Sequence, residues 1–92
     1  MDTKEVTKAQ TRVAVMAIIV EDREATEALN VLLHDYGRYI IGRMGIPYRE
    51  KGINIISIAL DAPQDEISAL SGKIGKINGV SVKTAYSNVI SE

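Results

Sequence analysis

Two segments, Arg12 to Val20 (RVAVMAIIV) and Ile53 to Asp61 (INIISIALD), are apolar at almost every position. Because strand side chains alternate between two faces, such segments are apolar on both. In the first, Val13, Val15, Ala17 and Ile19 line one face, and Ala14, Met16, Ile18 and Val20 the other. In the second, Asn54, Ile56, Ile58 and Leu60 alternate with Ile55, Ser57 and Ala59. A strand of this kind is stable only where both faces are covered, which predicts that these two strands are central in their sheet.

The segments between them have helical and edge-strand patterns. Asp22 can cap a helix running to about Tyr36, and Glu24 and Glu27 suit its positive N-terminal end. Ala25, Ala28, Leu29, Leu32, Leu33 and Tyr36 recur at helical spacing and form its expected buried stripe, with Gly37 as a left-handed cap. Arg38 to Ile46 reads as a strand in which Gly42 and Gly45 suggest a bulge or close backbone approach. Pro47 to Gly52 (PYREKG) connects it to the central strand at Ile53. Pro63, Asp65 and Glu66 open a second helix carrying Ile67, Leu70, Ile74 and Ile77 on one face. Gly72 and Gly75 in that helix read as points of close approach to a neighbour. Asn78-Gly79 stops it, and Val80 to Tyr86 alternates as a half-exposed edge strand.

Strand, helix, strand, strand, helix, strand is the order of a ferredoxin-like α+β domain. The expected fold is a four-stranded antiparallel sheet of order 4-1-3-2 with both helices on one face, since right-handed crossovers put them there. The chain of 92 residues accommodates one domain. Its expected limits are 12–88, between a flexible N-terminal tail (1–11) and a C-terminal tail (89–92). Two helices leave one sheet face bare. An apolar area of that size is unusual on a monomer, so a homo-oligomer, dimer or tetramer, is expected to form through it.

Composition excludes several classes of function. The chain has no cysteine, which removes disulfides, thiolate metal sites and thiol nucleophiles. The apolar run Val13 to Val20 is far shorter than the ~20 residues of a spanning helix. It leads directly into Glu21-Asp22-Arg23-Glu24 without a small-residue cleavage site, so a cytoplasmic protein is expected. Eleven Lys and Arg against twelve Asp and Glu lack the basic excess of a nucleic-acid footprint, and direct nucleic-acid binding is not expected. The element order is also that of an RNA-recognition module, the alternative reading, but Gly52 to Leu60 has no aromatic residue on which a base would stack.

No catalytic constellation is present, and neither enzymatic activity nor a cofactor is expected. His34 is the single histidine and cannot build a metal site within one chain. Symmetry in an oligomer would make it a metal candidate of last resort. Ser71-Gly72-Lys73 departs from a phosphate loop because Ile74 follows the lysine and Ile67 stands where its first glycine belongs. Arg38, Arg43, Arg49 and Lys51, interleaved with Tyr39 and Tyr48, form either a charged, protected edge strand or an anion pocket or nucleic-acid platform, the first being favoured. Candidate ligand or interface residues are therefore Asp22, Arg23, Arg43, Tyr48 and Arg49, for a small-molecule ligand or a protein partner.

Val20 to Glu24 (VEDRE), Leu29 to Gly37 (LNVLLHDYG), Ile40 to Lys51 (IIGRMGIPYREK) and Ala69 to Tyr86 (ALSGKIGKINGVSVKTAY) closely resemble the family of iron-only hydrogenase system regulators. The likeness runs from about Arg12 to Tyr86. It implies an ACT-like version of the fold, similar to the C-terminal domain of the nickel-responsive regulator, and a regulatory role in a bacterial cytoplasm without a DNA-binding domain of its own. Two positions depart from those patterns. Ala25 stands where ACT domains commonly carry the glycine of an Asp-Arg-x-Gly turn. His34 alone replaces the several histidines and cysteine with which the nickel regulator holds its metal.

Overall fold

The structure is a computed structural model that describes residues 10–91. Most of the expected N-terminal tail therefore lies outside the described residues. The elements are β1 (Thr11–Val20), α1 (Ala25–Asp35), β2 (Ile40–Tyr48), β3 (Ile53–Ala62), α2 (Gln64–Gly75) and β4 (Val80–Ser91), with short 3-10 turns at Gly37–Tyr39 and Arg49–Lys51. The strands form one antiparallel sheet of order β2-β3-β1-β4, the expected order read from its other edge. The doubly apolar strands β1 and β3 are its centre.

Alternation sorts the side chains of those strands cleanly. Ala14, Met16, Ile18 and Val20 of β1 and Ile56, Ile58, Leu60 and Ala62 of β3 are buried. They meet Ala25, Leu29 and Leu33 from α1, Tyr36 just beyond its end, and Ile67, Leu70 and Ile74 from α2 in one cluster. The register assigns the opposite face to Val13, Val15, Ala17 and Ile19 of β1, Ile55, Ser57, Ala59 and Asp61 of β3, Met44 and Ile46 of β2, and Ser81, Lys83 and Ala85 of β4. No described helix packs there. Val13 (38%), Val15 (43%), Met44 (58%) and Ile46 (46%) accordingly keep much of their surface exposed.

Several local expectations need correction. β4 continues to Ser91, pairing Ser91 with Thr11 and Ile90 with Arg12, so 89–91 are strand where a C-terminal tail is expected, and Thr11 already belongs to β1. A register shift between Arg12 and Ala14 lets the ladder continue, and Arg12 holds that junction. Its Nε donates to the Ser87 carbonyl (2.8 Å), its Nη1 to Gln64 Oε1 (2.9 Å), and its guanidinium lies 4.8 Å from the Tyr86 ring centre. Gly37 is not a left-handed cap, because the positive φ values among glycines are those of Gly52 and Gly79. Instead α1 tightens into the 3-10 turn, with Tyr39 N–H donating to the Tyr36 carbonyl (3.0 Å). Ala28 is exposed and lies off the buried stripe. Gly42 borders a bulge, as expected, since the β2 register shifts between Ile40 and Gly42. No atom stands within 4 Å of the place a Cβ would take at Gly72, so this glycine marks no close approach.

The close approach is at Gly79, which in the sequence is only a helix stop. Its φ is +81°, and a Cβ there would collide with Asp22 Cβ. Glu21 N–H donates to the Gly79 carbonyl at 2.7 Å. The turn that follows β1 is thus seated on the turn that precedes β4.

Candidate functional site

Antiparallel pairing brings the end of β1, the end of β2 and the start of β3 to one edge of the domain. Val20 lies opposite Asn54, Pro47 also opposite Asn54, and Tyr48 opposite Ile53. The chain must reverse between Tyr48 and Ile53, and it does so through the turn Arg49–Lys51 and Gly52, whose φ of +67° is left-handed. Arg23 reaches the same place from the turn after β1. Val20, Arg23, Pro47, Tyr48, Arg49, Gly52, Ile53 and Asn54 together line a cleft of about 220 Å³.

The cleft has an apolar floor from Val20, Pro47 and Ile53, the Asn54 amide, and two guanidinium groups. Arg23 comes from the turn after β1 and Arg49 from the turn after β2, and both line the cleft. Two arginines converging on one concavity favour an anion, because guanidinium forks match carboxylate and phosphate oxygens. Tyr48 is anchored beside them, its hydroxyl donating to Glu50 Oε1 at 2.7 Å. That hydrogen bond, assisted by burial, raises the phenol above its ordinary value of 10.0. Tyr48 therefore stays protonated and presents its ring, with its proton already committed to Glu50.

Three of the five expected site residues, Arg23, Tyr48 and Arg49, share this cleft. Arg43 does not. It lies opposite Ile58 on the helix-facing side of β2, and its Nη2 donates to Asn30 Oδ1 of α1 at 2.8 Å. Asp22 does not line the cleft either. Its Oδ1 accepts from Glu24 N–H at 3.0 Å, so it shapes the turn that delivers Arg23. Arg38 lies over Tyr39 at 4.9 Å, which completes the dispersal of the arginine cluster seen in the sequence. Sequence reasoning missed Gly52 and Asn54, although the glycine closing PYREKG was a usable signal for the turn.

His34 is exposed on α1, in a shallow groove of about 550 Å³ shared with Glu27, Asn30 and Val31. Among the described residues no three His, Cys, Asp or Glu side chains come together as a metal site would require. A further pair has no signal in the sequence: Lys73 Nζ donates to the Tyr36 hydroxyl at 2.9 Å and lies 5.1 Å from that ring's centre. Its ammonium is held above its ordinary value, first by the hydrogen bond to Tyr36 and also by the Tyr36 charge. This pair ties α2 to the end of α1.

Residues 12–84 match the model of the TM1266-like family, described as "Iron-only hydrogenase system regulator, putative". The chain belongs to this family. Its fold is similar to that of the uncharacterized protein TM1266 from Thermotoga maritima, with 45% identity, a TM-score of 0.81, and coverage of 83% of this chain and 96% of that one. A formyltetrahydrofolate deformylase from Pseudomonas putida KT2440 shares the fold alone, at 13% identity and a TM-score of 0.62 over 84% of this chain and 29% of the enzyme. No curated protein matches the sequence. The family is described as a regulator and not as an enzyme. No helix among the described residues is long and apolar enough to cross a membrane.

Proposed function

We propose that this member of the regulator family is a cytoplasmic sensing module that self-associates through its open sheet face and reads a small anionic ligand at the Arg23–Arg49 cleft. The observation that carries the reading is the asymmetry of the sheet. One face is filled by α1 and α2, while the other presents Val13, Val15, Met44 and Ile46 to solvent between 38% and 58% exposed. Burying that face in a second copy removes apolar surface from water at about 25 cal/mol per Å², the largest favourable term open to this domain. The cleft supports ligand sensing, because its paired guanidiniums sit on turns, the parts of a fold that move most easily.

The open face of β1 and β3 offers aliphatic side chains, Ser57 and Asp61, and no ring for a base to stack on. With eleven basic against twelve acidic residues, regulation in this reading runs through a protein partner and not through phosphate contacts of the domain itself.

Light scattering at micromolar concentration tests the association, and a strict monomer refutes it. Thermal shift with inorganic phosphate and with small dicarboxylates tests the cleft. Stabilisation that disappears in Arg23→Ala and in Arg49→Ala supports it. Stabilisation that persists in both variants refutes it.

A further inference from the structure

We propose that two copies of this chain pair their open sheet faces about a two-fold axis passing at Val15, with Asp61 of each copy bonded to Lys83 of the other. This rests on the self-association reading above and adds its register and its specificity.

Among the residues that the register assigns to the open face, Asp61 and Lys83 are the two that carry charge. Asp61 Oδ1 is buried and has no hydrogen-bond partner among the described residues. Asp61 as a whole is half-buried on that face, and a partly desolvated carboxylate is stabilised by a cation brought to its open side. Lys83 is exposed on the same face.

Their positions are related in a way that a two-fold axis satisfies. Asp61 lies opposite Val13 across the β3–β1 ladder, and Lys83 lies opposite Ala17 across the β1–β4 ladder. Val15 is midway between Val13 and Ala17 on the strand that separates them, so it is the midpoint of the line joining Asp61 and Lys83. From ordinary strand spacing and rise, that line is roughly 17 Å long. An axis through Val15, lying between the two sheets and perpendicular to that line, exchanges its two ends. Each Asp61 then falls over a Lys83, twice in the dimer, and β1 crosses its counterpart at Val15.

The same spacings place a second residue on the axis. Met44 is opposite Ser57, and Ser57 is opposite Ala17, which puts Met44 two strands and two residues from Val15. That offset is perpendicular to the Asp61–Lys83 line, so Met44 meets its counterpart as Val15 does. Strands of the two sheets cross at roughly 70°, nearer the orthogonal than the aligned class of sheet packing. A lysine side chain and a carboxylate together span the ~10 Å between packed sheets.

The absence of cysteine makes the test direct. Single variants Val15→Cys and Met44→Cys place a lone thiol at the axis, whereas Ile19→Cys places its thiol far from its counterpart. Under mild oxidation the first two are expected to form disulfide-linked dimers on a non-reducing gel, and the third is not. Asp61→Lys and Lys83→Asp are each expected to weaken the dimer roughly tenfold or more, and the double reversal to restore it. A dimer that links through Ile19→Cys but not Val15→Cys, or that ignores both charge reversals, overturns this register and leaves self-association standing. A monomeric parent chain overturns both.

Discussion

Replacing Gly79 by alanine isolates the contact on which the cleft depends, and its effect can be worked from the structure. Three contributions add. At φ +81° an alanine sits in the left-handed region, which costs an L-residue about 1–2 kcal/mol. Its methyl would overlap Asp22 Cβ and lie 3.2 Å from Asp22 N, so the turn after β1 must move. That movement loosens the 2.7 Å hydrogen bond from Glu21 N–H to the Gly79 carbonyl, worth about 1 kcal/mol net. Against these, alanine stiffens the unfolded chain and returns about 0.4–1 kcal/mol. The expected net loss is about 2 kcal/mol.

Urea denaturation reads this directly, at fixed protein concentration because association contributes to apparent stability. With a slope of about 1 kcal/mol per molar for so small a domain, the midpoint is expected to fall by roughly 2 M. Gly72→Ala is the paired control: it lies within α2 with no atom within 4 Å of the new methyl, and it is expected to stabilise by about 0.5–1 kcal/mol. A Gly79→Ala variant indistinguishable from the parent would refute the account of the seated turns, as would equal losses at both glycines. Because Arg23 rides on the displaced turn, Gly79→Ala should also weaken anion-induced stabilisation.

Ile58→Ala removes a fully buried side chain at the centre of β3 and is expected to cost about 2–5 kcal/mol in the same assay. Val15→Ala, on the open face, should instead leave the monomer fold unchanged and show itself in light scattering. Arg12→Ala severs three contacts that join β1, β4 and α2, and about 1–2 kcal/mol should be lost, with earlier amide exchange along β4 than along β3. The raised Tyr48 phenol means that the folded state holds this proton more tightly than the unfolded chain does. The linked stability is therefore present below pH 10 and is lost as pH rises through the folded value. Alkaline titration of tyrosine absorbance should show a late step that Tyr48→Phe abolishes and Glu50→Gln moves back toward 10.0.

The fold was legible because the strongest sequence signal was also the one that tertiary structure obeys. Strands apolar on both faces have one stable position in a mixed domain of this size, and β1 and β3 occupy it. Local chemistry was less legible at the ends of elements. Gly37, Gly72 and Gly79 are the same residue type in sequence, yet of these three only Gly79 has a left-handed backbone, because that requirement comes from the turn packed against it and not from its neighbours in the chain.

The candidate site divides in the same way. The residue types that attract an anion were visible as a run of arginines and tyrosines around β2. Which of them converge was not, because successive residues of a strand point to opposite faces. Arg43 is committed to Asn30 on the helix side, while Arg49, beyond the strand end, meets Arg23 from a segment 26 positions earlier in the sequence. By itself, the sequence determined the element order, the central strands and the existence of an apolar face that the helices cannot cover. Tertiary structure alone decided which side chains share a cleft and which charges lie across that face, since both depend on strand register, a relation between residues distant in the chain.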